Sequence, residues 1–134
     1  MMKIAKHIAY AVVLFFAFIA IAPVNVPAQY RLQDKEIRYK VQFARGKTGT
    51  VVKKQIRLGT THIYSVRAQK GQRMAVTLTT GKQTSFTIYS PTEGIIEGAD
   101  GGKMWRGTLN ETGEYLIAIG TDKTAKYGLE IFIK

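Results

Sequence analysis

From residue 38 to the end of the chain, apolar and polar residues alternate with a period of two. Between 38 and 43, Tyr39, Val41 and Phe43 fall on one face of an extended chain. The same alternation recurs in seven further segments, which are 51–58, 61–68, 73–80, 85–90, 104–109, 114–120 and 126–133. A period of two is typical of a strand with one buried face. The pattern therefore predicts about eight strands.

Short segments rich in Gly, Asn, Asp or Pro separate several of these strands. They are 69–72, 81–83, 90–94, 100–102 and 110–113. Such residues favour chain reversals, and reversals favour antiparallel pairing. An open sheet of eight strands would leave a large apolar face in water, so we predict an all-β fold, a single antiparallel β-sandwich. A flattened barrel would satisfy the same pattern, and the pattern leaves open whether Ile95 and Ile96 form a strand or a loop.

The N-terminal segment has the features of an export signal. Lys3 and Lys6 precede an apolar run over 8–22, and small residues then stand at the −3 and −1 positions of a cut after Ala28. We therefore predict a signal peptide over 1–28, a polar leader over 29–36 and the sandwich domain over 37–134. The apolar run is shorter than the roughly 20 residues of a membrane-spanning helix. We expect a periplasmic or secreted protein with no membrane span after cleavage; an uncleaved anchor is the alternative.

The residue inventory excludes several kinds of chemistry. The chain contains no Cys, and His62 is the only histidine after the predicted signal. Thiol chemistry and sites that need two histidines are therefore excluded. We predict that the protein is not an enzyme and needs no cofactor or metal, although Glu93, Glu97 and Asp100 could supply oxygen ligands to calcium.

Positive charge is concentrated in the N-terminal half of the predicted mature chain. Residues 29–82 carry 13 Lys and Arg against two acidic residues, whereas 83–134 carry five against seven. Such a surface attracts anionic partners, such as lipid headgroups, acidic glycans or the acidic cleft of another protein. Nucleic acid is not expected as a partner of an exported protein, and a purely solubilising role is the alternative. The predicted basic surface consists of Arg38, Lys40, Lys53, Lys54 and Arg57.

Several motifs resemble those of known families. The segments YSVRAQKGQ (64–72), FTIYSP (86–91) and GTLNETGEY (107–115) resemble the pre-peptidase C-terminal type of β-sandwich. The chain also resembles the bacterial periplasmic inhibitors of g-type lysozyme. The features that carry this resemblance are a signal peptide, a V-x-F-x-x-G opening (41–46), A-x-K-G-Q (68–72), T-G-x-Y (112–115) and the I-x-I-K terminus (131–134).

The second resemblance implies a non-enzymatic inhibitor that inserts a loop into the acidic cleft of lysozyme, with a g-type enzyme favoured as the partner. It implies that the partner is contacted by Thr112, Gly113, Tyr115, Lys123 and Lys126. Tyr115 also fits a core position, because it shares a strand face with Ile117 and Ile119.

Two other interpretations remain open. Trp105 and Arg106 could form a sugar-stacking platform, which would make the chain a carbohydrate-binding or adhesion module; a lone Trp in a small sandwich is also a frequent core residue. Alternatively, the basic surface defined above could hold a polybasic protein at anionic surfaces.

Overall fold

Nine β-strands are present in the computed structural model, which describes residues 35–81 and 83–134. The strands are β1 (Lys35–Lys40), β2 (Gly49–Ile56), β3 (Thr60–Ala68), β4 (Arg73–Thr79), β5 (Thr84–Tyr89), β6 (Ile95–Gly102), β7 (Met104–Thr108), β8 (Gly113–Thr121) and β9 (Ala125–Ile133). The predicted signal peptide and residues 29–34 of the predicted leader lie outside the described residues. β1 begins at Lys35, within the segment predicted as leader.

The strands form two sheets. The five-stranded sheet has the order β1-β3-β8-β5-β6, and the four-stranded sheet has the order β2-β9-β4-β7. Every pair is antiparallel except β1 with β3, which is parallel. The predicted β-sandwich is confirmed. Among the described residues, no helix is long and apolar enough to cross a membrane.

Alternating side chains of both sheets form the core. In β4, for example, Met74, Val76 and Leu78 are 4% exposed or less, as the period of two predicts. Tyr64 and Val66 of β3 and the inward residues of β5, β8 and β9 are buried in the same cluster. Burial of this apolar surface is the main favourable term in folding. The chain contains no cysteine, so no disulfide adds to it.

Two local predictions were wrong. Residues 100–102 were predicted as a reversal, but they belong to β6, which pairs irregularly with β5 and turns only at Lys103. The first strand was predicted over 38–43, but β1 ends at Lys40. Val41 still donates its N–H to Ser65 O (2.8 Å), and the chain then leaves this sheet to start β2 in the other one. Val41 and Phe43 pack against the core without belonging to a strand.

The sandwich has two ends and two open edges. One end, here called the Thr112 end, carries the loops 69–72, 90–94 and 109–112. The loop 122–124 lies at the other end, because it follows the last residue of β8. Strands β1 and β2 form the first edge, and β6 and β7 form the second edge.

Candidate functional site

The loop that carries the predicted contact residues is bonded to its neighbour at the Thr112 end. Gly71 N–H donates to Leu109 O (2.9 Å), and Leu109 N–H donates to Gln72 O (2.8 Å). The exposed Thr112 accepts a hydrogen bond at its hydroxyl from Lys70 N–H (2.9 Å). The loop is therefore fixed through both its backbone and a side chain.

Tyr115 lies beneath this loop and not on its surface. Its side chain is 1% exposed, and its hydroxyl donates to Glu111 O (2.7 Å) while accepting from Glu111 N–H (3.2 Å). Burial raises the pKa of Tyr115, which keeps the hydroxyl protonated and able to donate. In this position Tyr115 holds the loop from beneath, and its side chain does not form part of the exposed surface.

Gly113 and Pro91 hold two of the loops in close contact. Gly113 has a φ of +153°, and a Cβ added there would lie 3.0 Å from Cβ and Cγ of Pro91. Any other residue at 113 would therefore push the two loops apart. The glycine is explained by this close approach.

The carboxylate of Glu111 is used inside the same end of the molecule. It accepts from Thr92 N–H (3.4 Å) and from the Thr92 hydroxyl. Hydrogen bonding by Thr92 lowers the pKa of Glu111. The carboxylate therefore joins the 109–112 loop to the 90–94 loop and stays ionised.

Two cations that were not predicted lie beside Thr112. Arg67 and Lys70 are exposed, and a shallow depression of about 360 Å³ is lined by Arg67, Gln69, Gln72 and Thr112. Arg67 lies near Thr112 because β3 pairs with β8, and Arg67 is opposite Glu114 in this pairing. The A-x-K-G-Q motif could have drawn attention to Lys70, but no local pattern identified Arg67.

The structure does not bring Lys123 and Lys126 to this site. Both are exposed, and both follow the far end of β8. The nine residues of β8 place its ends about 26 Å apart. The five residues predicted as one partner-binding site therefore lie at two opposite ends of the sandwich.

Trp105 and Arg106 point to opposite faces of β7, so the predicted platform of both side chains is not formed. Trp105 is half-buried, and its indole N–H donates to Glu97 O (3.2 Å). It lines a cleft of about 410 Å³ at the second edge together with Glu93, Glu97, Asn110 and Glu111. Arg106 is exposed on the outer face of the four-stranded sheet. The alternation that identified β7 as a strand already separates these two neighbours.

The five residues of the predicted basic surface surround the first edge and do not share one plane. Arg38 and Lys40 extend from β1, and Lys53 and Lys54 extend from β2, in the other sheet. Lys54 Nζ lies over the Tyr39 ring, 4.6 Å from its centroid. Arg57 is exposed in the turn after β2. Within the described part of the chain, the one salt bridge joins Arg38 to Glu36 (3.2 Å).

A polar cluster is buried between the sheets near the first edge. His62 is 3% exposed, and its Nδ1 is 2.7 Å from the Tyr127 hydroxyl, which is 2.5 Å from the Tyr64 hydroxyl. Tyr39 stacks on Tyr64 with ring centroids 5.0 Å apart. Burial lowers the pKa of His62, with a further contribution from Lys54, and burial raises the pKa of Tyr127. The cluster is neutral at pH 7 and has the character of a structural network.

The carboxylates proposed as calcium ligands do not converge. No group of three or more His, Cys, Asp or Glu side chains in 35–81 and 83–134 is placed to hold a metal ion. Asp100 accepts from the Thr87 hydroxyl (3.2 Å) instead. The calcium interpretation of Glu93, Glu97 and Asp100 is therefore not supported.

Comparison with known proteins relates this architecture to solved structures. No protein-family model matches the sequence, and no curated protein matches it. The chain is similar to the periplasmic inhibitor of g-type lysozyme from Aeromonas hydrophila, with a TM-score of 0.66 and 24% identity over 75% of this chain and 99% of that one.

Two further inhibitors of g-type lysozyme are similar to this chain. A mutant of the Escherichia coli inhibitor has a TM-score of 0.59 and 19% identity over 74% of this chain and 98% of that one. The Salmonella Typhimurium inhibitor has a TM-score of 0.58 and 20% identity over 72% of this chain and 97% of that one. These three structural neighbours are periplasmic lysozyme inhibitors, and at these identities the likeness establishes a shared sandwich fold.

Proposed function

We propose that the chain is an exported protein inhibitor of lysozyme, with a g-type enzyme as the favoured target, and that it acts by binding without catalysis. The observation that carries this proposal is the similarity over nearly the whole length of the Aeromonas inhibitor, combined with a pre-formed loop at the Thr112 end. Export through cleavage after Ala28 would place the mature chain in the periplasm or outside the cell, with the leader over 29–36 and the sandwich over 37–134.

The Thr112 end supplies what an inhibitor of an acidic cleft requires. A glycosidase of this kind keeps a carboxylic acid in a groove that is shaped for a sugar polymer. Asn110 and Thr112 are exposed polar residues at the tip of the loop, and Arg67 and Lys70 place positive charge beside it. A polar tip with flanking cations can hydrogen-bond the acidic groove and exclude the polymer.

Rigidity of the loop strengthens this proposal. A loop that is ordered before binding loses less conformational entropy in the complex, so more of the contact energy appears as affinity. The Tyr115 hydroxyl, the Gly113–Pro91 contact and the Glu111 carboxylate each restrain the loop. We assign Tyr115 and Gly113 to positioning the loop and Thr112 to direct contact.

The proposal is tested by measuring the turnover of goose-type, chicken-type and invertebrate-type lysozymes with the chain from Gln29 added at physiological salt. We expect inhibition of the goose-type enzyme at near-stoichiometric ratios. The double substitution Arg67→Gln and Lys70→Gln should weaken inhibition by about tenfold or more, since it removes two charges that face the cleft.

The matched control is the double substitution Lys123→Gln and Lys126→Gln, which removes the same charge at the other end of β8. It should leave inhibition unchanged. A loss confined to the control variant would show that the other end of the sandwich contacts the enzyme. No inhibition of any of the three lysozymes would overturn the proposal.

A second candidate function is favoured by the cleft at the second edge. Carbohydrate sites commonly combine an aromatic ring with carboxylate and amide groups, and Trp105 lines this cleft with Glu93 and Asn110. If the protein is a carbohydrate-binding module, Trp105→Ala should abolish binding to cell-wall glycan and leave lysozyme turnover unaffected. Glycan binding that persists in Trp105→Ala would exclude this site.

A further inference from the structure

The outer face of the four-stranded sheet carries exposed apolar side chains. Val51, Met104 and Phe132 are 58%, 67% and 46% exposed, and they are half of the large exposed hydrophobic residues in the described part of the chain. Val51 of β2 lies near Phe132 of the adjacent β9, which is opposite Gly49, whereas Met104 lies on β7 at the other edge of the sheet. Exposed apolar side chains that share one face with many cations are typical of a surface that binds an anionic partner.

Small residues between these side chains leave two depressions in the face. One, of about 550 Å³, lies above Thr77, Thr79 and Gly128. The other, of about 470 Å³, lies above Ala75 and beside Phe132. The face is therefore shallowly contoured.

Cations surround the apolar side chains on the same face. Five cations lie on this face, as the strand pairing and the lining of the two depressions show. They are Lys53, Arg73, Arg106, Lys126 and Lys134. Glu130 is the one acidic residue among the described residues that line the depressions. The face thus combines a net charge of about +4 with three exposed apolar side chains spread from β2 to β7.

We propose that this face docks on the surface of an anionic lipid bilayer. Lysine and arginine side chains at its rim would pair with lipid phosphates, and Met104, Phe132 and Val51 would enter the headgroup region. A second copy of the chain is a poorer occupant, since two such faces repel each other. A purely electrostatic partner would leave the exposed apolar groups unused. The inference is independent of lysozyme inhibition, which uses the Thr112 end.

The test is co-sedimentation of the chain from Gln29, which retains the complete sandwich, with vesicles of phosphatidylcholine alone or mixed with phosphatidylglycerol. We expect binding to the anionic vesicles only, weakened by raising the salt concentration. Arg106→Gln with Lys134→Gln should reduce binding by about 25-fold, at about fivefold for each cation near the surface. Met104→Ser should reduce it by about tenfold through the loss of apolar burial.

Matched controls separate a specific face from general charge and hydrophobicity. Arg38→Gln with Lys40→Gln removes the same charge from the other sheet, and Leu58→Ser removes an exposed apolar residue, 62% exposed, from the β2–β3 turn. Both should bind like the parent protein, and circular dichroism of every variant establishes that it is folded. The proposal is overturned by equal losses in the controls, by no binding to anionic vesicles, or by dimerisation through this face.

Discussion

Removal of the Tyr115 hydroxyl should loosen the whole Thr112 end. The substitution Tyr115→Phe keeps the ring in the core and removes one oxygen. That oxygen donates to Glu111 O at 2.7 Å and accepts from Glu111 N–H at 3.2 Å, so two backbone groups lose their partner together.

The expected cost follows from these two bonds. A hydrogen bond between neutral groups contributes about 1 kcal/mol, and an unpaired backbone group that water cannot reach costs about 1–3 kcal/mol. Glu111 is half-buried, so the cost should lie between these two limits. We therefore expect the free energy of unfolding to fall by about 2 kcal/mol and Tm to fall by roughly 10 °C for a domain of this size.

Urea unfolding followed by tryptophan fluorescence measures this change, because Trp105 is the only tryptophan and is half-buried. The urea midpoint should decrease while the slope stays constant, since the same surface is exposed on unfolding. Tyr89→Phe is the matched control, because Tyr89 is 38% exposed on the outer face of the same sheet, and it should change stability by less than about 0.5 kcal/mol.

The same variant tests the positioning role. If Tyr115 acts by holding the loop, Tyr115→Phe should weaken lysozyme inhibition while the variant remains folded at 25 °C. A midpoint equal to that of the parent protein, with unchanged inhibition, would refute the reasoning that the hydroxyl organises the loop.

Three further predictions concern single residues. Gly113→Ala should lower the free energy of unfolding by about 1–3 kcal/mol, because its Cβ meets Pro91 at 3.0 Å, and Pro91→Ala in the same chain should restore part of the loss in urea unfolding. Burial, and then Lys54, lowers the pKa of His62 in the folded protein, so as the pH falls the unfolded chain takes up a proton first. The stability contributed by the neutral ring is therefore complete above the unfolded pKa of about 6.5 and is lost as the pH falls from 6.5 through the native pKa. This dependence of the free energy of unfolding on pH should disappear in His62→Asn. Tyr127→Phe removes the hydroxyl between two buried partners and should cost about 1–3 kcal/mol by thermal unfolding, whereas an unchanged Tm would show that water replaces it.

The period of two predicted most strands because burial on one face is a local property of the sequence. In β4 the alternating apolar residues are the buried ones, and Phe86 and Ile88 in the predicted strand over 85–90 are buried as well. β6 lacked this signal. Only Ala99 is fully buried within it, and Gly101 and Gly102 are typical of turns, so the sequence predicted a reversal over 100–102 where irregular pairing with β5 maintains a strand.

The candidate site was harder to predict because it depends on pairing between distant segments. Thr112 and Lys123 are close in sequence, yet β8 separates them by its full length. Arg67 is far from Thr112 in sequence, yet the β3–β8 ladder brings its strand beside Glu114. Hydrophobic alternation specifies which face of a strand is buried but not which strand lies next to it, so residues at a shared end could not be grouped from the pattern alone.

The distribution of charge explains how a loop flanked by Glu111 and Glu114 could serve an inhibitor of an acidic cleft. The Glu111 carboxylate is bonded to Thr92, so it restrains the loop from within. Arg67 and Lys70 stand beside the tip, and the cations of the first edge contribute to a longer-ranged positive field. Such a field accelerates encounter with an acidic partner, whereas the short-ranged contacts of the tip determine how long the complex lasts. Under the proposed function, the overall basic charge would govern the association rate, and the rigid polar tip would provide the specificity.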